Sequence, residues 1–220
     1  MNPKIPDLHS YCFNPGCQLP ENPHNNLFCD SCGANLLLSD RYRGLRLLGK
    51  GGSGQTFLVL DFAQSPGNLC VIKQTWGNFP CYFSPEVLLK LFEFMKYSPH
   101  PPTPTPTGEG EKFPHHNEYN RYHQIPKYLE QFEQNEVFYQ VQEYILGDNL
   151  AKILTEKITF NIEEICLILT SLLPVIDYIH NCGIIHYDIK PENIIIRDNL
   201  ENLVLVDIGG FSPISSKSIP

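Results

Sequence analysis

The stretch IIHYDIKPENIII, residues 184–196, constrains this chain more than any other part of its sequence. Six of its thirteen residues are isoleucine, as in a buried strand or turn. Five polar side chains lie among them: His186, Asp188, Lys190, Glu192 and Asn193. Burying such groups costs several kcal/mol each unless they are paired or face a ligand. The stretch is therefore either a strand–turn–strand with accidental polar residues or part of a functional site.

Length and charge narrow the class of protein. The 220 residues suffice for one ordinary domain and a small module. The balance of 16 basic against 24 acidic residues, a net charge of −8, argues against a nucleic-acid or membrane-surface partner. The first ten residues lack the apolar segment of a signal peptide, and the apolar run at 165–179 is too short to span a bilayer. We therefore expect a cytoplasmic protein.

Four of the eight cysteines cluster in the first 40 residues, as Cys12-x4-Cys17 and Cys29-x2-Cys32. Each pair suits one tight knuckle, and four thiolates match the tetrahedral coordination of Zn²⁺. Two disulfides or unrelated thiols are the alternatives, but the missing export signal favours a metal. We predict a structural zinc site whose metal supplies the folding energy of a small module. The remaining cysteines are predicted to be reduced core residues: Cys70, Cys81, Cys166 and Cys182.

A glycine-rich loop, Gly49-x-Gly51-x-x-Gly54, precedes the strand-like run QTFLVLD. The motif alone is a weak signal, shared with dinucleotide-binding folds and with hairpins that bind nothing. A dinucleotide-binding loop would open a helix, whereas this run is strand-like, with Phe57 and Val59 on one face of a strand. Lys73 follows in the apolar run CVIK, where an anion such as a nucleotide phosphate would offset its loss of hydration. We predict a hairpin whose glycine turn covers phosphates.

Together these motifs resemble those of protein kinases. His186-x-Asp188-x-Lys190-x-x-Asn193, followed by Asp207-Ile-Gly, is similar to the catalytic and metal-binding loops of that family. The glycine loop, VIK and the hinge-like VQEYILGDNL occur in the same order, so the resemblance covers residues 42 to about 212. The cysteine head and LLLSDRYRGLRLLGKGGSGQTFL resemble bacterial Ser/Thr kinases, notably cyanobacterial ones, that have an N-terminal four-cysteine zinc ribbon.

The resemblance implies transfer of the ATP γ-phosphate to serine and threonine hydroxyls of proteins, with Mg²⁺. Asp188 would accept the proton of the substrate hydroxyl, and Lys190 would neutralise charge on the transferred group. Lys73 would pair with the α- and β-phosphates. The backbone amides of the glycine loop, Gly49, Gly51 and Gly54, would approach the ATP phosphates. The hinge backbone from Glu143 to Ile145 would bind adenine, and the side chains of Asn193 and Asp207 would hold Mg²⁺. His186 is expected to bridge the loop backbone to the region of Asp207.

The order of the elements predicts an α+β fold. We expect a kinase-like N-lobe, made of an antiparallel sheet plus one helix starting at Ser84, and a partial helical C-lobe with a helix at about 162–181. A small zinc ribbon precedes them. The expected domains are the ribbon at 1–40, the N-lobe at 41–146 and an incomplete C-lobe at 147–220. The N-lobe would contain a disordered Pro/Thr-rich insert at about 98–118.

Three features depart from the kinase pattern. Tyr187 replaces the arginine that usually precedes the catalytic aspartate, which suggests that activation-loop phosphorylation does not control this protein. Met95 stands where the glutamate partner of Lys73 is expected, with Glu93 and Glu86 as imperfect substitutes. The sequence stops soon after Asp207, so we expect a truncated kinase. The alternatives are a non-catalytic zinc-ribbon and nucleotide-binding module, or a gene fragment.

Overall fold

The computed structural model describes residues 9–52, 54–63, 67–75, 124–157, 159–181, 184–207 and 212–213. These form two compact units: the first takes its described residues from 9–75 and 128–144, and the second from 124–127 and 145–213. The predicted helix at Ser84, with Glu86, Glu93 and Met95, lies outside the described residues, as does the Pro/Thr-rich insert.

The first unit contains eight described strands. They are β1 His9–Tyr11, β2 Glu21–Pro23, β3 Leu37–Leu38, β4 Tyr42–Gly51, β5 Gly54–Asp61, β6 Asn68–Thr75, β7 Tyr128–Gln134 and β8 Val137–Glu143. An antiparallel sheet runs in the order β3-β4-β5-β6-β8-β7, while β1 and β2 form a separate hairpin in the cysteine head. The antiparallel sheet predicted from the strand-like runs is confirmed.

The core of this unit follows from side-chain alternation along the strands. Phe57 and Val59 of β5 lie on one face of the sheet and are fully buried, as the sequence predicts. Ile72 of β6 and Val141 of β8 pack beside them. Phe13 from the cysteine head joins the same cluster, and its ring meets that of Phe57 edge-on, with centroids 4.9 Å apart. The head thus supplies part of the core of the sheet.

The second unit is built on two helices and short strands. Its elements are β9 Asp148–Asn149, α1 Leu150–Lys157, α2 Ile162–Asn181, β10 Ile184–Ile185, β11 Ile194–Ile196, β12 Leu203–Leu205 and β13 Ser212–Pro213, with a 3₁₀ turn at Pro191–Asn193. Strands β12, β11 and β9 form one antiparallel sheet, and β10 pairs with β13. The helix predicted at 162–181 is confirmed with those bounds.

Helix α2 begins with a reciprocal cap. The Asn161 side chain accepts from the Glu164 backbone N–H, and the Glu164 carboxylate accepts from the Asn161 backbone N–H, both at 2.9 Å. These bonds satisfy two donors that would otherwise be unpaired at the helix start. From this start, α2 buries Leu172, Val175 and Ile179 against the β11–β12 hairpin. The helix and the hairpin flank the loop between β10 and β11 and the residues that follow β12.

The other face of α2 is apolar and exposed. Ile162, Ile165, Leu167 and Leu173 are 72, 40, 38 and 56% exposed, and Cys166 lies among them. The prediction that Cys166 is a core residue is therefore wrong, because no described residue covers this face of the helix. Cys70 is buried as predicted, whereas Cys81 and Cys182 lie outside the described residues. Over the described ranges, no helix is both long and apolar enough to cross a membrane.

Candidate active site and cysteine cluster

The loop between β10 and β11 is anchored by His186, which is 2% exposed. Its Nε2 lies 3.1 Å from the carbonyl oxygen of Val206, and its Nδ1 accepts from the Asp188 backbone N–H at 3.3 Å. Burial lowers the pKa of His186, which favours the neutral ring at physiological pH. The predicted bridge from this loop to the region of Asp207 is confirmed by the contact with Val206.

Asp188, Lys190 and Asn193 form one hydrogen-bonded group on this loop. Lys190 Nζ donates to Asp188 Oδ2 at 2.8 Å, and Asn193 Nδ2 donates to the same oxygen at 2.9 Å. The bond from Lys190 is the main reason that the pKa of Asp188 lies below its usual value, so the carboxylate is ionised at neutral pH. The Asp188 side chain is 42% exposed, so a substrate group can reach it.

Asp207 follows β12, and hydrogen bonds connect its loop to the first one. The Val206 backbone N–H donates to the Asn193 carbonyl at 2.8 Å, next to the His186 contact. The Asp188 hydrogen bond is the main cause of the raised pKa of Lys190, and the charge of Asp207 adds to it. Asp207 and Tyr187 both have a left-handed backbone, with φ of 67° and 58°. Such a conformation costs roughly 1–2 kcal/mol for an L-residue and recurs at functional sites.

The glycine loop and Lys73 lie in the first unit. Strands β4 and β5 pair up to Gly51 and Gly54, and β5 continues as a strand, which confirms the predicted hairpin and argues against a dinucleotide-binding loop. Lys73 is half-buried on β6, opposite Thr56 of β5. Among the proposed hinge residues, Glu143 ends β8 and is half-buried, while Ile145 is 3% exposed.

Gly54 allows a close approach of two strands. A Cβ at this position would lie 2.1 Å from the carbonyl oxygen of Gln74, the residue after Lys73. At Gly49, Gly51 and Gly52, a Cβ would meet nothing within 4 Å. The third glycine of the motif is therefore required by the packing of β5 on β6.

We expect Gly54→Ala to lower the free energy of unfolding by about 1–3 kcal/mol, since the added methyl group must displace the β6 backbone. Chemical denaturation followed by far-UV circular dichroism measures this change. Gly52→Ala is the matched control and should change the stability by less than about 0.5 kcal/mol. Equal stability of the two variants would contradict this account of the loop.

The four clustered cysteines are placed as a tetrahedral ion requires. Their Sγ atoms all lie within 4.8 Å of one another, and the Cys12–Cys32 and Cys17–Cys29 pairs are each 3.6 Å apart. Disulfide sulfurs would be separated by about 2.05 Å, and the described cysteines form no disulfide. Tetrahedral Zn²⁺ with Zn–S bonds of about 2.3 Å separates its sulfurs by about 3.8 Å. The four thiols thus fit a zinc ion.

Asn22, which the sequence motifs do not single out, orients Cys29. It is 2% exposed, donates from Nδ2 to the Cys29 Sγ at 3.5 Å, and accepts the Asp30 backbone N–H on Oδ1 at 2.8 Å. Burial by itself would raise the pKa of Cys29, but backbone donors and Asn22 outweigh it and lower the pKa to about 6. Burial raises the pKa of Cys12. Asn22 lies seven positions before Cys29, a separation that no metal-binding motif uses. Only the fold therefore shows that Asn22 contacts the cysteine cluster.

We expect Asn22→Ala to speed zinc release by roughly 10- to 100-fold, as is common when a group that hydrogen-bonds to a ligand is removed. A colorimetric chelator added to the zinc-loaded chain measures the rate. Asn26→Ala is the control, since the Asn26 side chain donates to the surface carboxylate of Asp30 rather than to a thiol. Equal release rates for the two variants would show that Asn22 does not support the cluster.

The family model described as "Protein kinase domain" matches residues 114–218. The chain is 38% identical over 200 residues to "Serine/threonine-protein kinase B" of Synechocystis sp., an alignment that covers 91% of this chain and 32% of that protein. It is 39% identical to "Serine/threonine-protein kinase D" of the same organism, over 80% of this chain and 31% of the relative. "Serine/threonine-protein kinase PknA" of Nostoc sp. is 35% identical, over 79% of this chain and 28% of that protein.

The fold, the loop motifs and these similarities place the chain in the protein kinase family. The chain belongs to the serine/threonine protein kinase family, as its sequence motifs predict. It spans about a third of the length of the curated relatives that it matches.

Proposed function

We propose that this chain is a serine/threonine protein kinase that transfers the ATP γ-phosphate to protein hydroxyls. The observation that supports this most is the hydrogen-bonded group of Asp188, Lys190 and Asn193, linked to the Asp207 loop through Val206. Phosphoryl transfer depends on positioning and charge neutralisation, and this group offers an ionised carboxylate, a cation and an amide in fixed relation. Membership of the kinase family supports the same reaction.

In this proposal Asp188 accepts the proton of the substrate hydroxyl and orients the oxygen for attack. Lys190, already paired with Asp188, neutralises charge that develops on the transferred phosphoryl group. The amide nitrogen of Asn193 is bonded to Asp188, so its oxygen is the atom suited to Mg²⁺, with a carboxylate oxygen of Asp207. Bound Mg²⁺ would neutralise phosphate charge.

The remaining roles follow the family. Lys73 pairs with the α- and β-phosphates, and the backbone N–H groups of Gly49, Gly51 and Gly54 approach the phosphates. The backbone from Glu143 to Ile145 binds adenine. The half-buried position of Lys73 supports its role, since an anion would offset the lost hydration.

We further propose that Zn²⁺ occupies the site formed by Cys12, Cys17, Cys29 and Cys32 as a structural ion, which the sulfur spacing supports. The proposed domains are the ribbon at 1–40, the N-lobe at 41–146 and part of a C-lobe at 147–220. The net charge of −8 favours protein substrates over nucleic acid. We place the activity in the cytoplasm, where ATP is abundant and thiols stay reduced.

The test is phosphate transfer from labelled ATP by the 220-residue chain, to itself or to a generic Ser/Thr protein, with Asp207→Asn as the control. Label that disappears in the control would support the proposal. A folded, zinc-loaded chain that binds Mg²⁺·ATP without transferring phosphate would favour the non-catalytic nucleotide-binding module. A chain that does not bind Mg²⁺·ATP either would contradict both.

A further inference from the structure

Strand β6 presents two adjacent residues to opposite faces of the sheet. Lys73 is half-buried on one face, while Gln74 is 1% exposed on the other, the face of Cys70 and Ile72. Successive side chains of a strand point to opposite sides. Gln74 lies on the face against which Phe13 of the cysteine head packs, and it is the next residue in the chain after Lys73. Any displacement of Gln74 along or across the strand therefore displaces Lys73.

Gln74 is bonded to the cysteine head. Its Nε2 donates to the Phe13 carbonyl oxygen at 2.9 Å and to the Tyr139 hydroxyl at 3.1 Å. Phe13 directly follows Cys12, one of the four clustered cysteines. One buried amide thus connects the first cysteine knuckle with strand β6, and through Tyr139 with strand β8.

Packing alone does not explain a glutamine at this position. Gln74 Oε1 is buried and has no hydrogen-bond partner among the described residues. A buried acceptor without a partner is destabilising, and an apolar side chain of similar volume would avoid that cost. The presence of glutamine at this position is therefore explained by its amide N–H groups, which hold the Phe13 carbonyl in place.

A second buried contact attaches the head to the same sheet. Arg43 of β4 is 6% exposed, and its Nη1 donates to the Ser10 hydroxyl at 2.7 Å and to the backbone carbonyls of His24 and Asn26 at 2.6 and 2.9 Å. The head is thus held at β4 as well as at β6. A module fixed at two buried points moves with the sheet rather than independently of it.

We propose that Gln74 is a positioning residue that couples metal binding in the cysteine head to nucleotide binding at Lys73. The inference rests on the proposed role of Lys73 and on the fit of the cluster to Zn²⁺. When the metal orders the knuckle that contains Cys12, the Phe13 carbonyl is fixed and Gln74 holds β6 in one position. Electrostatic recognition of a phosphate tolerates displacements of only about 0.5 Å, so the order of β6 affects nucleotide affinity.

Coupling between two sites is reciprocal. If zinc strengthens nucleotide binding through Gln74, then bound Mg²⁺·ATP strengthens zinc binding by the same factor. A role of Gln74 in stability alone predicts no such reciprocity. Zinc affinity, measured with and without Mg²⁺·ATP in the wild type and in Gln74→Leu, therefore separates a coupling residue from a merely structural one.

The experiment compares the full chain with Gln74→Leu and with Gln55→Leu as the matched control. Gln55 is 5% exposed and lies directly opposite Gln74 on β5, on the same face of the sheet. Mg²⁺·ATP affinity is measured by calorimetry before and after a zinc chelator, with the metal content determined each time. In the wild type and in Gln55→Leu we expect chelation to weaken ATP binding by about five- to tenfold. In Gln74→Leu, ATP binding should start weaker and change by less than about twofold on chelation.

The proposal would be overturned if chelation weakened ATP binding in Gln74→Leu as much as in the wild type. It would also be overturned if removal of zinc from the wild type had no effect on ATP binding, or if the purified wild type bound no zinc.

If the zinc-loaded wild type binds no nucleotide, the proposed function fails, and amide hydrogen exchange of residues 71–75 tests the coupling separately. Chelation should then speed exchange in the wild type and in Gln55→Leu but not further in Gln74→Leu; unchanged exchange in the wild type refutes the coupling. Gln74→Met replaces Gln74→Leu if the latter does not fold.

Discussion

Replacing Asp188 by asparagine is expected to lower the rate of phosphate transfer from ATP by about 10²- to 10⁴-fold, the usual contribution of a positioned base. The substitution keeps the size of the side chain and its contacts with Lys190 and Asn193, but an amide cannot accept the proton of the substrate hydroxyl. The binding of Mg²⁺·ATP should change far less than the rate of transfer. Steady-state transfer from labelled ATP to a generic Ser/Thr protein, together with calorimetric ATP binding, separates the two effects.

Asp198→Asn is the matched control for that experiment. Asp198 is an exposed aspartate in the same unit, between β11 and β12, and accepts a hydrogen bond from Asn202 at 3.0 Å. Its substitution should leave transfer within about twofold of the wild type, as is usual for surface changes. If Asp188→Asn transferred phosphate as fast as Asp198→Asn, Asp188 would not be the base and the proposed mechanism would be wrong.

Removal of the proposed zinc is expected to destabilise the entire first unit and not the cysteine head alone. In small metal-bound modules the metal-binding free energy is largely folding free energy. The head contributes Phe13 to the core of the sheet and is bonded to Arg43 and Gln74. We therefore expect Cys29→Ser to abolish stoichiometric zinc and to lower the free energy of unfolding of the sheet by about 5 kcal/mol or more. Metal analysis and denaturation followed by circular dichroism provide the two measurements.

Cys166→Ser is the control for the zinc experiment, because Cys166 is an exposed cysteine on α2 in the other unit. Its zinc content and the stability of the first unit should match those of the wild type. A head that lost zinc in Cys29→Ser while the sheet kept its wild-type stability would mean that the head is an independent appendage. That result would also remove the structural basis for coupling through Gln74.

Local patterns in the sequence were sufficient for the central strands of the sheet and for helix α2. The bounds of α2 follow from an Asn161 cap, an acidic first turn and an apolar run, all encoded within a few residues. The apolar run around Phe57 and Val59 likewise identifies the strand, although the structure buries side chains on both of its faces. Cys166 was misassigned because the apolar surface of α2 is wider than the part that is covered, and periodicity does not show which part of such a surface is buried.

The candidate site divides in the same way. Asp188, Lys190, Asn193 and the four cysteines could be predicted from the sequence because their proposed roles depend on residue type and on short spacing along the chain. Asn22, Arg43 and Gln74 could not, because each acts on a group from a different segment. Gln74 lies 61 positions from the carbonyl that it binds, and Arg43 lies 33 positions from Ser10.

The sequence by itself determined the family, the central strands of the sheet and helix α2, and it predicted the residues suited to phosphate and metal chemistry, because these depend on residue type and on short spacing along the chain. Only the tertiary structure decided that the cysteine head packs as a layer on the sheet that contains Lys73. That arrangement depends on surfaces that meet across long separations in the chain. A buried amide or guanidinium reveals its function only when its distant partners are known.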